Sequence, residues 1–327
     1  MSKGIGRKLS VGFSKEAVRG TAESSTTFWV PFEEVSADEK DERVTDEQSY
    51  GVQEDSTSQS IVKQWAEIQL KSHVSDSSFP LLLVSALGTV NSALHAGETS
   101  VYDHTITVAQ TSQHQSLTTF LDDPLASADY KYALSVVESL ELNYEAGKFI
   151  EYSAKLRAKK GAAATLTPSL TAENLFLPQH LTFKLATNQA GLAAAPATII
   201  KGLKLKINEN IEDDEVLGSM TPVDFLNRKF TIEGKLEAIW QNESDFKTFT
   251  LAGTQKAMRI DLKNTDITIG TAANPEIMID LYKVMFHELT RPIKINDVIR
   301  QTLQFKAHYS ISDAKMVNIV ATNLKTS

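Results

Sequence analysis

The chain of 327 residues contains no cysteine. That excludes a disulfide scaffold, a thiol nucleophile and any cysteine-held zinc or iron–sulfur centre. Glycine and proline are sparse, at 15 and 9 residues, which excludes collagen-like and low-complexity chains. Long apolar runs are missing as well. The strongest, Phe79 to Leu87, is about half of what a membrane span needs. The basic start Met1-Ser-Lys-Gly-Ile-Gly-Arg-Lys has no apolar segment behind it, so no signal peptide is expected.

Basic charge is in deficit, 33 residues against 41 acids. Before Thr165 there are 15 basic and 23 acidic residues, and after it 18 of each, so the whole excess lies in the first half. Ten of those acids fall between Glu33 and Asp55, against Lys40 and Arg43. Such a run reads as a solvated loop. A tight nucleic-acid binder needs a basic stripe to neutralise phosphates, and none is present. Apolar content of 42% and charged content of 23% are ordinary for a folded globular chain. The length suggests about two domains.

Catalytic patterns are also absent. There is no G-x-S-x-G and no Walker-type phosphate loop. His95, His104 and His114 show no metal-ligand spacing, and His287 and His308 fall in strand-like stretches. Asp122-Asp123 and Asp213-Asp214 read as solvated turns rather than a calcium site or a glycosidase pair. Trp29, Trp65 and Trp240 sit among aliphatic neighbours and read as core or subunit packing. We expect no enzyme activity, cofactor or metal.

What is present is a period of two. In Ser135 to Lys155, Val137, Leu140, Leu142 and Tyr144 carry the apolar signal beside Glu138, Glu141, Asn143 and Glu145. Ala146-Gly147 then punctuates a hairpin. Similar strand-like pieces occupy 27–32, 61–74, 105–108, 181–185, 199–207, 230–240, 258–262, 277–286 and 298–309. Two short helices are predicted, Phe79 to Leu87 closed by Gly88, and Phe246 to Ala252 closed by Gly253. The fold class is mainly β, with about one flanking helix per half.

The order of elements repeats. A strand end, a Ser/Asp-rich entry and a Phe-led helix occur at His73 to Phe79 and again at Ile239 to Phe246. The repeat matches 103–108 with 258–262, and an acid-rich hairpin tip at 37–46 with one at 209–215. The expected division is a first domain at 1–160, a linker at 161–180 and a second domain at 181–327.

Lys15-Glu16-Ala17-Val18-Arg19-Gly20-Thr21-Ala22 followed by Phe28-Trp29-Val30-Pro31-Phe32 resembles the opening of tail tube (major tail) proteins of long-tailed siphophages. Ser116 to Thr118 and Val137 to Glu145 are similar to their body. The resemblance implies tandem tail-tube β-sandwich domains. Their inner sheets would join on oligomerisation into a β-barrel channel, in rings of three chains with pseudo-sixfold symmetry. It implies a virion tail component, assembled in the host cytoplasm, that passes double-stranded DNA. Its partners would be itself, a tape measure protein, a tail terminator and tail-tip or baseplate proteins, with no membrane. An acidic lumen would carry Glu138, Glu141, Glu145, Asp280 and Glu288. The acidic hairpin, with Asp38, Glu39, Asp41, Glu42, Arg43 and Asp46, would stack rings, and an N-terminal arm with Lys3, Arg7 and Lys8 would meet a neighbour. The alternative is a capsid decoration or adhesin-type binding module.

Overall fold

The computed structural model describes residues 5–124, 128–240, 246–293, 295 and 298–326. The first stretch contains β1 (Ser10–Lys15), β2 (Phe28–Val30), β3 (Glu34–Asp46), β4 (Ser58–His73), helix α1 (Phe79–Leu87), β5 (Gly88–Leu94), β6 (Tyr102–Val108), β7 (Leu117–Asp122), β8 (Asp129–Glu145), β9 (Glu151–Ala158) and β10 (Ala162–Ala164). The second contains β11 (Leu181–Ala186), β12 (Gly202–Asn208), β13 (Ile211–Asp214), β14 (Asp224–Asn227), β15 (Thr231–Ile239), helix α2 (Lys247–Leu251), β16 (Lys256–Lys263), β17 (Glu276–Thr290), β18 (Arg300–Ala307) and β19 (Val317–Asn323). The fold is mainly β, and among the described residues the sheet does not close on itself.

The period of two becomes burial. Along β8, Leu140, Leu142 and Tyr144 are buried while Glu141 and Asn143 are not. α1 follows its sequence signals. Pro80 stands in the first turn, and Gly88 takes a left-handed φ of 102° so that its N–H closes on Val84 O. Phe79, Leu82, Leu83, Ala86 and Leu87 of this helix are fully buried. The Phe79 ring lies 4.9 Å from that of Tyr152 on β9.

Two expectations need correction. The acidic stretch 37–46 is not a hairpin tip, because it belongs to the thirteen-residue strand β3 and the turn lies beyond it. Asp213 and Asp214 sit in β13, not in a solvated turn, and the Asp213 side chain is only 8% exposed. Residues 161–180 include β10 and are stitched to the β4–α1 corner. Phe176 N–H donates to Val74 O, Asn174 Nδ2 donates to Asp76, and the Ser78 hydroxyl donates to Glu173. The Glu243-Ser244-Asp245 helix entry lies outside the described residues.

The pairing pattern of the first stretch recurs in the second. β1 pairs β7, β7 pairs β8, β8 pairs β9, β9 pairs β4 and β4 pairs β3. β11 pairs β16, β16 pairs β17, β17 pairs β18, β18 pairs β15 and β15 pairs β12. Register details recur too. The β7–β8 ladder slips between Leu117 and Thr119, and the β16–β17 ladder between Lys256 and Met258. Thr27 N–H bonds Phe13 O, and Thr198 N–H bonds Phe183 O. Glu67 faces Arg157 as Glu233 faces Lys306. The topological counterpart of β16 is therefore β7, not 103–108. β5 and β6 form a hairpin that adds to β19.

The two stretches meet in one ladder. β12 pairs β8 over seven residues, from Gly202 against Glu145 to Asn208 against Ser139. This creates a continuous sheet ordered β3-β4-β9-β8-β12-β15-β18-β17, over a single apolar core that includes Leu140, Leu205, Leu236 and Phe305.

Candidate functional site

The far side of that eight-strand sheet is polar, and its charges pair across strands. Lys71 Nζ lies 2.9 Å from Glu33 and 3.0 Å from Glu151. Lys155 meets Glu138 at 2.9 Å, and Arg157 reaches Glu138 and Glu67 at 3.7 and 3.9 Å. Lys204 meets Glu141 at 3.0 Å, Arg300 meets Glu237 at 2.9 Å, and Lys306 meets Glu233 at 3.6 Å. The Lys71 hydrogen bond holds the Glu33 carboxyl below its ordinary range. Solvent-facing pairs of this kind are worth about 0–1 kcal/mol each, so their weight is in register and hydration rather than stability.

Glu138, Glu141 and Glu145 all lie on this face of β8, Glu138 at a bulge and Glu145 exposed beside Lys148 at 2.9 Å. Glu288 is exposed near the end of β17, with φ at 52°, and accepts a hydrogen bond from Gln304 Nε2. Asp280 is elsewhere: it is 2% exposed, with each oxygen 2.7 Å from Arg259. Burial makes it an internal ion pair rather than a surface acid.

Asp38, Glu39, Asp41, Glu42, Arg43 and Asp46 all lie on β3. Asp41 pairs Arg43 at 2.6 Å, and this exposed contact lowers the Asp41 carboxyl. Asp46 accepts from the Thr57 hydroxyl at 2.9 Å and closes the turn. Arg7 and Lys8 form an exposed single turn, and Lys3 lies outside the described residues.

The sheet has two open edges. Among the described residues β3 pairs only with β4, and beyond Val284 the end of β17 pairs only with β18. Unpaired edges of this length are templates for another chain. Ile293, just past β17, is 68% exposed.

A second feature, not legible in the sequence, is the seat of the β13–β14 hairpin on the first half. Asp213 lies 2.7 Å from Arg157 and 2.5 Å from Lys63, which also reaches Glu215 at 2.5 Å. Arg19 Nε bonds Asp224 at 2.9 and 3.0 Å, and its Nη2 donates to Phe225 O at 2.8 Å. Phe225 is fully buried against Leu134 and Val136, with Trp65 beside it. Nearby, Glu209 is 1% exposed and meets His114 Nδ1 at 3.1 Å. Burial raises the Glu209 carboxyl, and His114 and Asn227 oppose that rise. Arg19 stands inside the family-like motif, but nothing in its spacing announces this role.

Among the described residues one trio, Glu33, His73 and Glu151, brings three metal-type ligand atoms within 4.8 Å of one another. The Lys71 ammonium already pairs with both of its carboxylates.

Asp261 on β16 is a cost rather than a site. Burial, then Glu276, pushes its carboxyl up from 3.8 to about 6. As pH rises the unfolded chain releases this proton first. Stability is lost from about pH 4 and the loss is complete above about 6. Asp261→Asn is expected to stabilise by about 1 kcal/mol at pH 7.5, after discounting for solvent screening, and by nothing at pH 4. Urea unfolding at the two pH values checks this.

No helix among the described residues is long and apolar enough to cross a membrane. A comparison with curated proteins finds no match. The family model for phage tail tube proteins matches residues 6–307. With a mainly β chain and open-edged sheet under that match, the chain belongs to the phage tail tube protein family, the structural subunits of a virion's tail.

Proposed function

We propose that the chain is a duplicated tube subunit whose halves, residues 1–160 and 181–327 joined through 161–180, fill successive positions of one ring. The β12–β8 ladder carries this reading. It is a contact between equivalent halves, made within the chain. The same contact between chains would set β3, the counterpart of β12, on the end of β17, the counterpart of β8. A head-to-tail contact of this kind closes a ring when its rotation divides a full turn. Three chains would close a pseudo-sixfold ring and leave no edge unpaired.

Eight strands from each of three chains give a barrel of about twenty-four, beyond the 16–18 at which barrels already hold an aqueous channel. The charged face would line it, with Glu138, Glu141 and Glu145 on its wall, Glu288 at the closing edge and buried Asp280 outside it. Paired charges keep such a wall hydrated while offering DNA phosphates few free cations, so a duplex would slide rather than bind. Rings would stack into the tube. A tape measure protein, a terminator and tail-tip proteins, with assembly in the host cytoplasm, complete the reading.

The internal register transfers to the junction. Leu203 faces Tyr144 in the β12–β8 ladder. The matching positions are Val35 on β3 and Ile293 beyond β17, one half-buried and one exposed. Opposed strand residues are about 4.5–5.5 Å apart at Cα, within disulfide reach. In this cysteine-free chain, Val35→Cys with Ile293→Cys is expected to give intermolecular disulfides on assembly. The ladder on a non-reducing gel should end at three chains, and neither single variant should form it. Assembled tubes of the double variant that stay unlinked under oxidation would refute the junction.

A further inference from the structure

The hairpin ends that join the paired strands of each half, strand residues included, have the same chemistry. Residues 41–64 and 209–230 each contain six acids and two bases. Only one is docked. The 209–230 loop lies on the first half, where Lys63 and Arg157 clamp Asp213 and where Gln64 N–H bonds Met220 O at 2.7 Å. The 41–64 loop projects as an arm. Val44, Tyr50, Val52, Ile61 and Val62 are 53, 62, 62, 37 and 41% exposed on it. Five large apolar side chains on an acidic arm mark a surface made to be covered.

The recurrent register identifies what corresponds to the clamp. In the β4–β9 ladder Glu67 faces Arg157, and in the β15–β18 ladder Glu233 faces Lys306. Counting from these pairs, Lys63 corresponds to Lys229 and Arg157 to Lys306. Both clamp cations are thus cations again on the second half. Lys229 is exposed, and the Lys306 side chain is 43% exposed. Lys283 and His308 stand beside Lys306, and burial together with these two lysines lowers the His308 imidazole. A concavity of about 460 Å³ opens beside Lys229, with Tyr309 and Lys315 also in its lining.

We propose that this basic seat takes the acidic arm of the adjacent chain in the same ring, as the first half takes the 209–230 loop of its own chain. The occupant is a second copy, and the inference rests on the tube reading above. The acids of the arm, Asp41, Glu42 and Asp46, would meet Lys229 and Lys306, and its apolar residues would be covered in the contact. The arm would then lock neighbours around the ring, and stacking of rings through it becomes the competing outcome.

The test uses tubes assembled from an equal mixture of nitrogen-14 and nitrogen-15 protein, treated with a carbodiimide that joins amines to carboxylates without a spacer. Mass spectrometry of the digest is expected to find hybrid-isotope links from Lys229 or Lys306 to arm acids. Links from arm acids to Lys8 or Lys15 instead, or tubes with no arm links, would overturn the proposal and leave the tube reading standing. A chain that stays monomeric at every concentration would overturn the tube reading, and this inference with it. As a second arm, Lys229→Glu with Lys306→Glu is expected to abolish tubes while lowering the melting temperature only slightly, the small loss coming from the exposed Lys306–Glu233 pair. Adding Asp41→Lys, Glu42→Lys and Asp46→Lys should restore them. Normal tubes from the double variant would count against the seat.

Discussion

Glu16→Ala is expected to destabilise the chain by about 3–5 kcal/mol, since it removes several hydrogen bonds to a charged group, worth about 1.5–3 kcal/mol each before the hydroxyls find other acceptors. Glu16 is 3% exposed, and its carboxylate is an acceptor for four donors. The Gly20 N–H and the Ser116 hydroxyl reach one oxygen at 2.7 and 2.6 Å. The Leu134 N–H and the Thr118 hydroxyl reach the other at 2.7 and 3.1 Å. Two of those donors belong to left-handed backbone, Gly20 at φ 78° and Leu134 at φ 53°. Leu134 is the costly one, because a branched side chain disfavours that region. Its position coincides with the slip in the β7–β8 ladder, where β8 leaves β7 and turns toward β9. Glu16 therefore fastens the bend on which the eight-strand sheet depends. Alanine would leave the buried Leu134 N–H without an acceptor, a penalty of about 1–3 kcal/mol, and the part-buried Gly20 N–H with water as its substitute. Glu16→Gln keeps one oxygen and should lose about half as much. The urea midpoint of each variant measures this, and an Ala variant within 1 kcal/mol of the parent would show that water replaces the carboxylate without cost.

Local chemistry explains which elements were legible in the sequence. α1 was readable because Pro80 and Gly88 bracket an apolar run, and those residues act through backbone geometry alone. β8 and β9 were readable because one face is buried along their length, which imposes the alternation. β3 was not. Its burial is slight beyond Ala37, so nothing in 38–46 alternates, and charge alone suggests a loop. Its strand character comes from thirteen ladder partners on β4, which is long-range information. β7 has the opposite problem. Leu117 to Phe120 are all buried, and with Thr118 and Thr119 buried between two apolar residues the run has no period of two to read. That is why 103–108, and not β7, reads in the sequence as the counterpart of 258–262. Of the candidate site, the acids on β8 were visible as the polar half of an alternation. The cation clamp of Arg19, Lys63 and Arg157 was not visible, since its members are 44 and 94 residues apart and meet only around a hairpin from the other half.

The strongest test of the internal repeat is a substitution that the repeat itself suggests and the local packing forbids. By register Gly234 on β15 corresponds to Ile68 on β4. Ile68 lies between Ala37 and Leu156, and Gly234 between Leu205 and Phe305. The two halves have divided the same space differently. In the second, the Phe305 ring lies across the glycine, with a Cβ placed there only 2.6 Å from ring atom Cε1. Gly234→Ile alone is expected to lose about 3 kcal/mol or more, since overpacking a closed core forces neighbours off their rotamers. Phe305→Leu alone should lose about 1–2 kcal/mol through the cavity it leaves. Together they rebuild the arrangement of the first half. The double variant is expected to be more stable than the sum of the two losses by about 1–3 kcal/mol, the coupling found for residues in direct contact. The carbonyl of Lys204 also crowds that position, so recovery should be partial unless β12 moves to the spacing that β3 keeps from β4. A cycle with no coupling would mean that the shared register does not extend to shared packing, and that the two halves reached one topology with unrelated cores.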